Sequence, residues 1–352
     1  MQKVSMDPRI LSRMNSWGVD FQTEMRKAKS LAEVYTLVNR IRRSDSRCGV
    51  PAAFFNPFLA WHQKQVGLAA GFSGNGRALV AGPGNCGDFQ LECLAGRFDE
   101  VVLLDVDAEG PEIARQRLPE HLRGKVSVLV CDASAYVGRV VARAEEAIGR
   151  SSSGTDAAAV VRGILAAPPL ESDLRPLPLE SDSFSFVLSD DVLPNIYPLP
   201  IAWLDTKLKM KFGDDCNLSD GGQVPPIQLV AALVHLAEAH RILEPGRSLA
   251  VSASVAYVTV AVTPDNRERV VYCHEGPDGG LVLISAPRLG FDGERHVGLD
   301  LLVGMASGFS PVFFETYRLP LAEAGTDTIP GIGTTETFIA ALHEFACLKK
   351  NG

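Results

Sequence analysis

Five short apolar runs, each separated from the next by helical stretches, constrain the fold of this chain more than any other feature of its sequence. The runs are residues 78–81, 101–104, 126–130, 184–188 and 249–253. Strands that are apolar on both faces are typical of parallel sheets, because helices cover such sheets on both sides. The alternation therefore predicts an α/β fold built on a mostly parallel sheet.

A glycine-rich turn follows the first of these runs. Residues 82–87 read Gly-Pro-Gly-Asn-Cys-Gly, and a helical pattern begins at Asp88. Glycines let a backbone turn tightly and let a ligand approach it, and the free N–H groups at a helix start bind anionic or polar groups. The turn therefore predicts a ligand-binding site, and a tight strand–helix turn without a ligand is the alternative.

Acidic residues end the next two runs. Asp105 lies 23 residues after Gly82, where a carboxylate can accept hydrogen bonds from both hydroxyl groups of a ribose. Asp132 ends the third run, where it can reach an adenine amino group. Asp107 competes with Asp105 for the ribose, but its position in the loop suits a helix cap better. With the glycine turn, these acids predict a nucleoside site, and helix capping is the alternative role for each.

Such a site can hold a nicotinamide dinucleotide or S-adenosylmethionine, and resemblance to a known family favours the second. Residues 82–87, 104–107 and 130–133 resemble motifs I, II and III of class I S-adenosylmethionine-dependent methyltransferases. Residues 178–193 look like the fourth-strand region of that family, and residues 240–249 are similar to the stretch that enters its fifth strand. The five segments occur in the order that the family has.

The resemblance has two departures. The family usually has an acid two residues before the first glycine, where this chain has Val80, and one expected contact to the methionine ammonium group is thereby weakened. Cys86 stands at the usual place of the third glycine, and Gly87 follows it. The resemblance covers residues 77–345, apart from two insertions that match nothing in the family. These insertions are residues 137–175 and 255–285.

The resemblance also implies a fold and a domain organisation. Family members have a Rossmann-like, seven-stranded, mostly parallel sheet with an antiparallel C-terminal strand and helices on both faces. Residues 298–342 fit the end of that sheet, since they read as a helix followed by two strands. We therefore expect residues 73–352 to form the methyltransferase domain. Residues 1–72 read as helical, and we expect them to form an N-terminal extension that covers the acceptor.

Site residues are carried over from the same resemblance. The expected cofactor-binding residues are Gly82, Pro83, Gly84, Gly87, Asp105, Val106, Asp132 and Ala133. Methyl transfer is an in-line displacement in which the protein mainly aligns the reacting groups, sometimes with a general base. Asp191 is the first candidate for that base and Asp190 is the second, with helix capping as the alternative. Asn195 and Tyr197 are expected to face the substrate on the same grounds. Trp61 and His62 are expected to face it because their helix leads into the glycine turn, and packing is their alternative role.

Composition and charge narrow the partners and the location. Asp and Glu outnumber Lys and Arg by 42 to 34, and a net charge of −8 argues against nonspecific binding to nucleic acid. The N-terminus lacks a signal-peptide pattern, and the longest uncharged stretch, residues 248–264, is too short to span a bilayer. Seven scattered cysteines without a CxxC pair favour reduced thiols, a cytoplasmic location and no metal site.

These observations predict a methyltransferase that uses S-adenosylmethionine and acts at oxygen or nitrogen of a small-molecule acceptor. Neither nucleic acid nor a membrane is expected as a partner, and a homo-oligomer is compatible with the sequence. A nicotinamide-dependent oxidoreductase is one alternative, because it would share the glycine turn and Asp105. A non-catalytic relative that binds a nucleoside or a partner protein is another, and Val80 keeps it open.

Overall fold

The computed structural model of the chain describes most of its residues. The described residues are 21–44, 52–190, 192–195, 198–216, 218, 227–262, 268–275, 281–285, 304, 306–329 and 333–352. Helices in this part are α1 (Phe21–Lys27), α2 (Leu31–Ser44), α3 (Ala52–Gly71), α4 (Leu91–Arg97), α5 (Glu109–Gln116), α6 (Glu120–Arg123), α7 (Val137–Arg150), α8 (Gly154–Ala166), α9 (Val192–Asn195), α10 (Pro198–Phe212) and α11 (Ile227–Ile242). The strands are β1 (Arg77–Ala81), β2 (Glu100–Asp105), β3 (Val126–Val130), β4 (Phe184–Asp190), β5 (Leu243–Val262), β6 (Glu268–Glu275), β7 (Leu281–Ser285), β8 (Phe309–Ile329) and β9 (Gly333–Lys350).

Seven strands form the body of the sheet in the order β3-β2-β1-β4-β5-β9-β8. Strands β1 to β5 pair in parallel, whereas β9 is antiparallel to both β5 and β8. Strands β6 and β7 extend the sheet, and β6 pairs with residues 259–262 at the end of β5. This order confirms the prediction of a Rossmann-like, mostly parallel sheet whose C-terminal strand is antiparallel.

Helices cover both faces of the sheet, because successive side chains of a strand point to opposite sides. On one face, Val80 of β1 packs in a cluster with Val66 of α3 and Leu94 of α4. On the other face, the neighbouring Leu79 packs in a cluster with Leu236 of α11. Burial on both faces explains why the strands of the sheet read as continuous apolar runs.

A third apolar cluster lies beside the carboxyl ends of the parallel strands. It joins Val38 of α2, Val140 of α7 and Leu204 of α10 to Ala81, the last residue of β1. The N-terminal helices and the helices of segment 137–175 therefore share a core next to the glycine turn. Open α/β sheets bind their ligands at this edge, so the cluster supports the place where a site would form.

The segments set apart by the sequence differ in how they join the sheet. Residues 255–262 continue β5 without a break, so the segment 255–285 begins inside a strand. The helix predicted at 298–306 lies almost entirely outside the described residues. The division of the chain into residues 1–72 and 73–352 stays a prediction.

Candidate functional site

The first two glycines of the turn after β1 are required by backbone geometry. Gly82 and Gly84 have φ angles of 71° and 49°, in the left-handed region that favours glycine. The N–H of Gly82 donates to the carbonyl oxygen of Leu104 at 2.9 Å, which ties the turn to β2. A Cβ on Gly82 would lie 2.4 Å from Cγ2 of Val192, so no larger residue fits there.

The third glycine of the turn is not required in the same way. Gly87 is exposed, and a Cβ built on it would have open space around it. Cys86 takes the left-handed conformation instead, with a φ of 50°, and its N–H donates to the carbonyl of Pro83 at 2.7 Å. The displaced glycine therefore leaves a strained residue at position 86, since a side chain is unfavourable in this region.

The two constrained glycines should respond differently to substitution. Gly82→Ala should lower the free energy of unfolding by about 2 kcal/mol or more, because left-handed strain adds to the clash with Val192. Gly84→Ala is the matched control, since its Cβ would lie 3.4 Å from Oδ1 of Asn39 and the loss should be only about 1 kcal/mol. Urea unfolding followed by circular dichroism measures both losses, and equal losses would contradict the assignment.

Asp105, at the end of β2, binds the glycine turn directly. Its Oδ2 accepts the N–H of Gly84 at 2.9 Å, and its Oδ1 accepts the N–H of Asp107 at 2.9 Å. The side chain is only 7% exposed. Burial raises the pKa of Asp105, and the backbone donors act in the opposite direction. Asp105 therefore holds the turn against the end of β2 through both of its carboxylate oxygens.

The two other acids of this edge cap helices. Asp107 accepts the N–H groups of Glu109 and Gly110 at the start of α5, which is the capping role expected of it. Asp132 accepts the N–H and the hydroxyl of Ser134 with Oδ1, and the N–H of Gly138 with Oδ2. Asp132 thus uses much of its acceptor capacity within the protein, and its contact with adenine stays a prediction.

Helix α2 lies over the turn and is fastened to the same edge. Thr36 Oγ1 donates to Asp107 Oδ1 at 2.9 Å, and Asn39 Nδ2 donates to Asp107 Oδ2 at 2.9 Å. Burial alone would raise the pKa of Asp107. The hydrogen bonds that its carboxylate accepts outweigh burial and lower that pKa, and the bond from Asn39 contributes most among them. Nδ2 of Asn85, in the glycine turn, donates to the carbonyl oxygen of Asn39 at 3.1 Å. The N-terminal extension therefore contacts the glycine turn through polar groups.

Tyr35 of α2 lies near both acids that were predicted to bind the nucleoside. Burial, and then the charges of Asp132 and Asp105, raise the pKa of its phenol. The sequence analysis missed Tyr35, Thr36 and Asn39. The signal available was that Thr36 and Asn39 are two polar residues three positions apart in a helix that also carries Val34, Leu37 and Val38.

A buried ion pair joins α3 to the end of β4. His62 is 2% exposed and Asp190 is 5% exposed, and Nε2 of the histidine lies 3.3 Å from Oδ1 of the carboxylate. Nδ1 of His62 lies 2.8 Å from the carbonyl oxygen of Asp88, and it carries a proton because a carbonyl only accepts. Burial alone would lower the pKa of His62, but Asp190 outweighs it and raises that pKa to about 9. His62 is therefore an imidazolium at neutral pH.

The ion pair adjoins the glycine turn and a second histidine. A Cβ built on Gly82 would lie 3.0 Å from the carbonyl oxygen of Asp190. Oδ1 of Asp190 also accepts the hydroxyl of Ser252 in β5 at 2.8 Å. Burial, and then the charge of His62, lower the pKa of His343 in β9 to about 4. The end of β4 therefore carries one charged and one neutral imidazole, which no local pattern in the sequence indicates.

Trp61 lies among aromatic side chains of the same region. Its ring centroid is 5.1 Å from that of Tyr317 and 6.0 Å from that of Phe58, and the Phe58 ring is 4.3 Å from His343. Trp61 is partly exposed, whereas its neighbour His62 is turned toward Asp190. Their roles toward a substrate stay predictions.

The remaining predicted residues lie around the ends of β2, β3 and β4. Val106 follows Asp105 and is partly buried. The carbonyl of Ala133 accepts the Nδ1–H of His235 at 2.6 Å, and Nε2 of the same ring lies 2.9 Å from Oγ of Ser189. His235 therefore links the ends of β3 and β4. Asn195 is the last residue of α9, and Asp191 and Tyr197 lie outside the described residues.

Among the described residues, no group of three or more His, Cys, Asp or Glu side chains is arranged to hold a metal ion. No helix in the described ranges is both long and apolar enough to cross a membrane.

Comparison with known proteins finds similarity at the level of structure. No family model and no curated protein matches the chain. A putative methyltransferase from Bacillus halodurans is similar at a TM-score of 0.41 and 11% identity, over 84% of this chain and 99% of that one. A SAM-dependent methyltransferase from Methanosarcina mazei is similar at a TM-score of 0.37 and 12% identity, over 81% of this chain and 97% of that one. An N-methyltransferase from Bradyrhizobium japonicum in complex with S-adenosyl-L-homocysteine is similar at a TM-score of 0.35 and 10% identity, over 83% of this chain and 87% of that one.

The fold is identified by the sheet itself. Its strand order is β3-β2-β1-β4-β5-β9-β8, with β9 antiparallel to both neighbours. The glycine turn follows β1, and Asp105 ends β2. This is the architecture that the sequence resemblance implies. The chain therefore has the fold of the class I S-adenosylmethionine-dependent methyltransferases.

Proposed function

We propose that this chain is an S-adenosylmethionine-dependent methyltransferase that transfers a methyl group to oxygen or nitrogen of a small-molecule acceptor. The observation that carries the proposal is the 2.9 Å contact between the N–H of Gly84 and Oδ2 of Asp105. It holds a left-handed glycine turn against a strand-end carboxylate, where open α/β sheets bind their ligands.

The residues at this edge fit the nucleoside half of the cofactor. Asp105 accepts backbone N–H groups with both carboxylate oxygens, and the acceptor capacity that remains can serve the ribose hydroxyl groups. Oδ2 of Asp132 accepts the N–H of Gly138 and has a second lone pair for an adenine amino group.

When bound, the cofactor supplies a methyl group activated by its sulfonium, and the transfer depends mainly on alignment. In related folds the end of β4 faces that methyl group. Asp190 is engaged there by His62 and by the hydroxyl of Ser252. We therefore assign a positioning role to Asp190 and the role of general base to Asp191.

Asp191→Asn should reduce the rate of methyl transfer about 10²-fold, because the amide keeps the size of the side chain and removes the base. The rate is measured with radiolabelled cofactor and a panel of small phenols and amines. Affinity for S-adenosylhomocysteine, measured by calorimetry, should stay within about twofold and serves as the control. An unchanged rate of methyl transfer would contradict this role, and the protein would then contribute only by aligning the reacting groups.

A ligand panel tests the proposed function itself. S-adenosylmethionine and S-adenosylhomocysteine should raise the melting temperature, because a ligand that binds the folded state stabilises it. NAD and NADP should not. Stabilisation by NAD or NADP alone would favour an oxidoreductase and overturn the proposal.

Non-catalytic nucleoside binding is the second candidate, and Val80 favours it. The side chain of Val80 is fully buried against α3 and α4, so β1 offers no acid to a methionine ammonium group at that position. Binding of S-adenosylhomocysteine without methyl transfer to any acceptor of the panel would support this candidate over the first.

A further inference from the structure

We propose that His235 of α11 is a positioning residue that holds the carboxylate of Asp132 in place, so that the site selects adenine over a base without the amino group. The proposal rests on the proposed function, because it takes Asp132 as the ligand of the adenine amino group. A continuous chain of hydrogen bonds, from Ser189 through the imidazole to Asp132, supports it.

The first part of this chain is the peptide unit between Ala133 and Ser134. Its carbonyl oxygen accepts the Nδ1–H of His235 at 2.6 Å. The N–H of the same unit, that of Ser134, donates to Oδ1 of Asp132 at 2.9 Å. Because a peptide unit is planar, a contact that fixes its carbonyl also fixes the direction of its N–H. His235 therefore acts on the carboxylate through one rigid group.

The second part of the chain anchors the imidazole to the middle of the sheet. Nε2 of His235 lies 2.9 Å from Oγ of Ser189, which is completely buried in β4. Burial lowers the pKa of His235, so the ring is neutral, and with the proton on Nδ1 its Nε2 accepts the hydroxyl of Ser189. Ser189 pairs with Ala81 of β1 and with Val251 of β5. The ring is therefore attached to a strand that has neighbours on both sides.

The loop after β3 needs such an attachment because β3 is an edge strand. Among the described strands it pairs with β2 alone, and Val130 at its end is 56% exposed. The N–H of Cys131 makes the next bond, to the carbonyl of Asp105 at 2.9 Å. From there the sheet holds the loop on one side, and His235 adds a contact from α11 at Ala133.

The capping of α7 does not account for this arrangement. Oγ of Ser134 already accepts the N–H groups of Tyr136 at 3.2 Å and Val137 at 2.8 Å, so Asp132 shares the cap with a neighbour. A cap also needs no buried histidine behind it. A purely structural role of His235 would weaken all ligands of the site alike, whereas a role through Asp132 changes the preference for the base.

The test is the preference for S-adenosylhomocysteine over S-inosylhomocysteine, whose base has a carbonyl in place of the amino group. Calorimetry on the full chain gives both dissociation constants. The wild type should prefer the adenine ligand about 30-fold, the effect of one hydrogen bond to a charged group. His235→Gln keeps a polar group near Ser189 but loses the donor to Ala133, and its preference should fall to about threefold. His235→Asn keeps that donor, and its preference should stay within about twofold of the wild type.

Two further variants show whether His235 acts through Asp132. His240→Gln is the matched control, because it makes the same substitution in the same helix, where the ring packs 5.0 Å from that of Phe309 in β8. It should leave the preference unchanged. In the background of Asp132→Asn, His235→Gln should have no further effect on the preference, since the carboxylate that it positions is gone.

The outcomes separate this proposal from the proposed function. If His235→Gln weakens both ligands equally, or if the wild type binds both equally well, the positioning role is overturned while the proposed function stands. If the wild type binds neither ligand, the proposed function fails and the positioning role fails with it. Should His235→Gln not fold in urea controls, Ser189→Ala is measured instead. It removes only the donor to Nε2 and should reduce the preference about threefold, and an unchanged preference would overturn the role.

Discussion

Replacing Asp190 with Ala should lower the free energy of unfolding by about 3–5 kcal/mol, the range for breaking a buried ion pair by removing one partner. His62 is 2% exposed, so without the carboxylate burial lowers its pKa, the ring releases its proton and the attraction between the two groups is lost. The hydroxyl of Ser252 would lose its acceptor as well. Urea unfolding measures the loss. Asp99→Ala, at an exposed acid before β2, is the control and should change stability by less than about 0.5 kcal/mol.

The same pair should make stability depend on pH. The pKa of His62 is about 9 in the folded chain against an ordinary value of 6.5, so the folded state holds a proton that the unfolded state releases first. This stabilisation is complete below pH 6.5 and is lost as the pH rises through 9, by about 3 kcal/mol in all. His343 acts with the opposite sign. Its pKa of about 4 means that stability falls as the pH drops from 6.5 toward 4.

Stability should therefore be highest near pH 6.5, and two variants separate the two sides of the profile. His62→Gln should flatten the decline on the alkaline side, and His343→Gln should flatten the decline on the acidic side. His343→Gln is the control, because it should leave the alkaline decline in place. His62→Gln should also lessen the acidic decline, since the charge of His62 contributes to the low pKa of His343. Urea midpoints measured across this pH range give the profile, and an alkaline decline that survives His62→Gln would contradict the ion pair.

The sheet could be predicted from the sequence because its strands are apolar along their length. The predicted run 126–130 coincides with β3, and the run 184–188 lies within β4 (Phe184–Asp190). The prediction was weakest for β5, which spans Leu243–Val262 where only residues 249–253 were predicted. Its first residues include Pro245 and Gly246, which weaken a strand pattern. Pairing with β4 and β9 overrides that local preference.

The candidate site, like the sheet, could be predicted from the sequence only in part. Asp105 could be placed beside the glycine turn because parallel strands bring their carboxyl ends to one edge, and its bond to Gly84 lies there. The contacts of α2 with this edge could not be predicted, since Asn39 meets Asp107 across 68 positions of sequence and no periodicity records that packing. His62 was singled out by its place in a helix, but its partner Asp190 belongs to the other half of the chain.

Asp105→Asn should weaken binding of S-adenosylhomocysteine about 100-fold or more. Both carboxylate oxygens accept a backbone N–H, one from Gly84 and one from Asp107. An amide has only one oxygen, so in either orientation its NH₂ group faces one of these donors. The turn then loosens at the same time as an acceptor for the ribose is lost. Two such hydrogen bonds, each worth about 1.5–3 kcal/mol, account for the expected loss.

Affinity and stability must be measured together on this variant, because Asp105 is 7% exposed and also holds the fold. Calorimetry gives the affinity, and urea unfolding should show a loss of about 2 kcal/mol. Asp132→Asn is the matched control, because it changes an acid that caps the start of α7. The affinity of this variant for S-adenosylhomocysteine should fall only about tenfold. If Asp105→Asn destabilises the chain and leaves the affinity for S-adenosylhomocysteine unchanged, the carboxylate serves the turn alone. The ribose would then need another acceptor at this edge, and the assignment of the nucleoside site to the ends of β2 and β3 would fall.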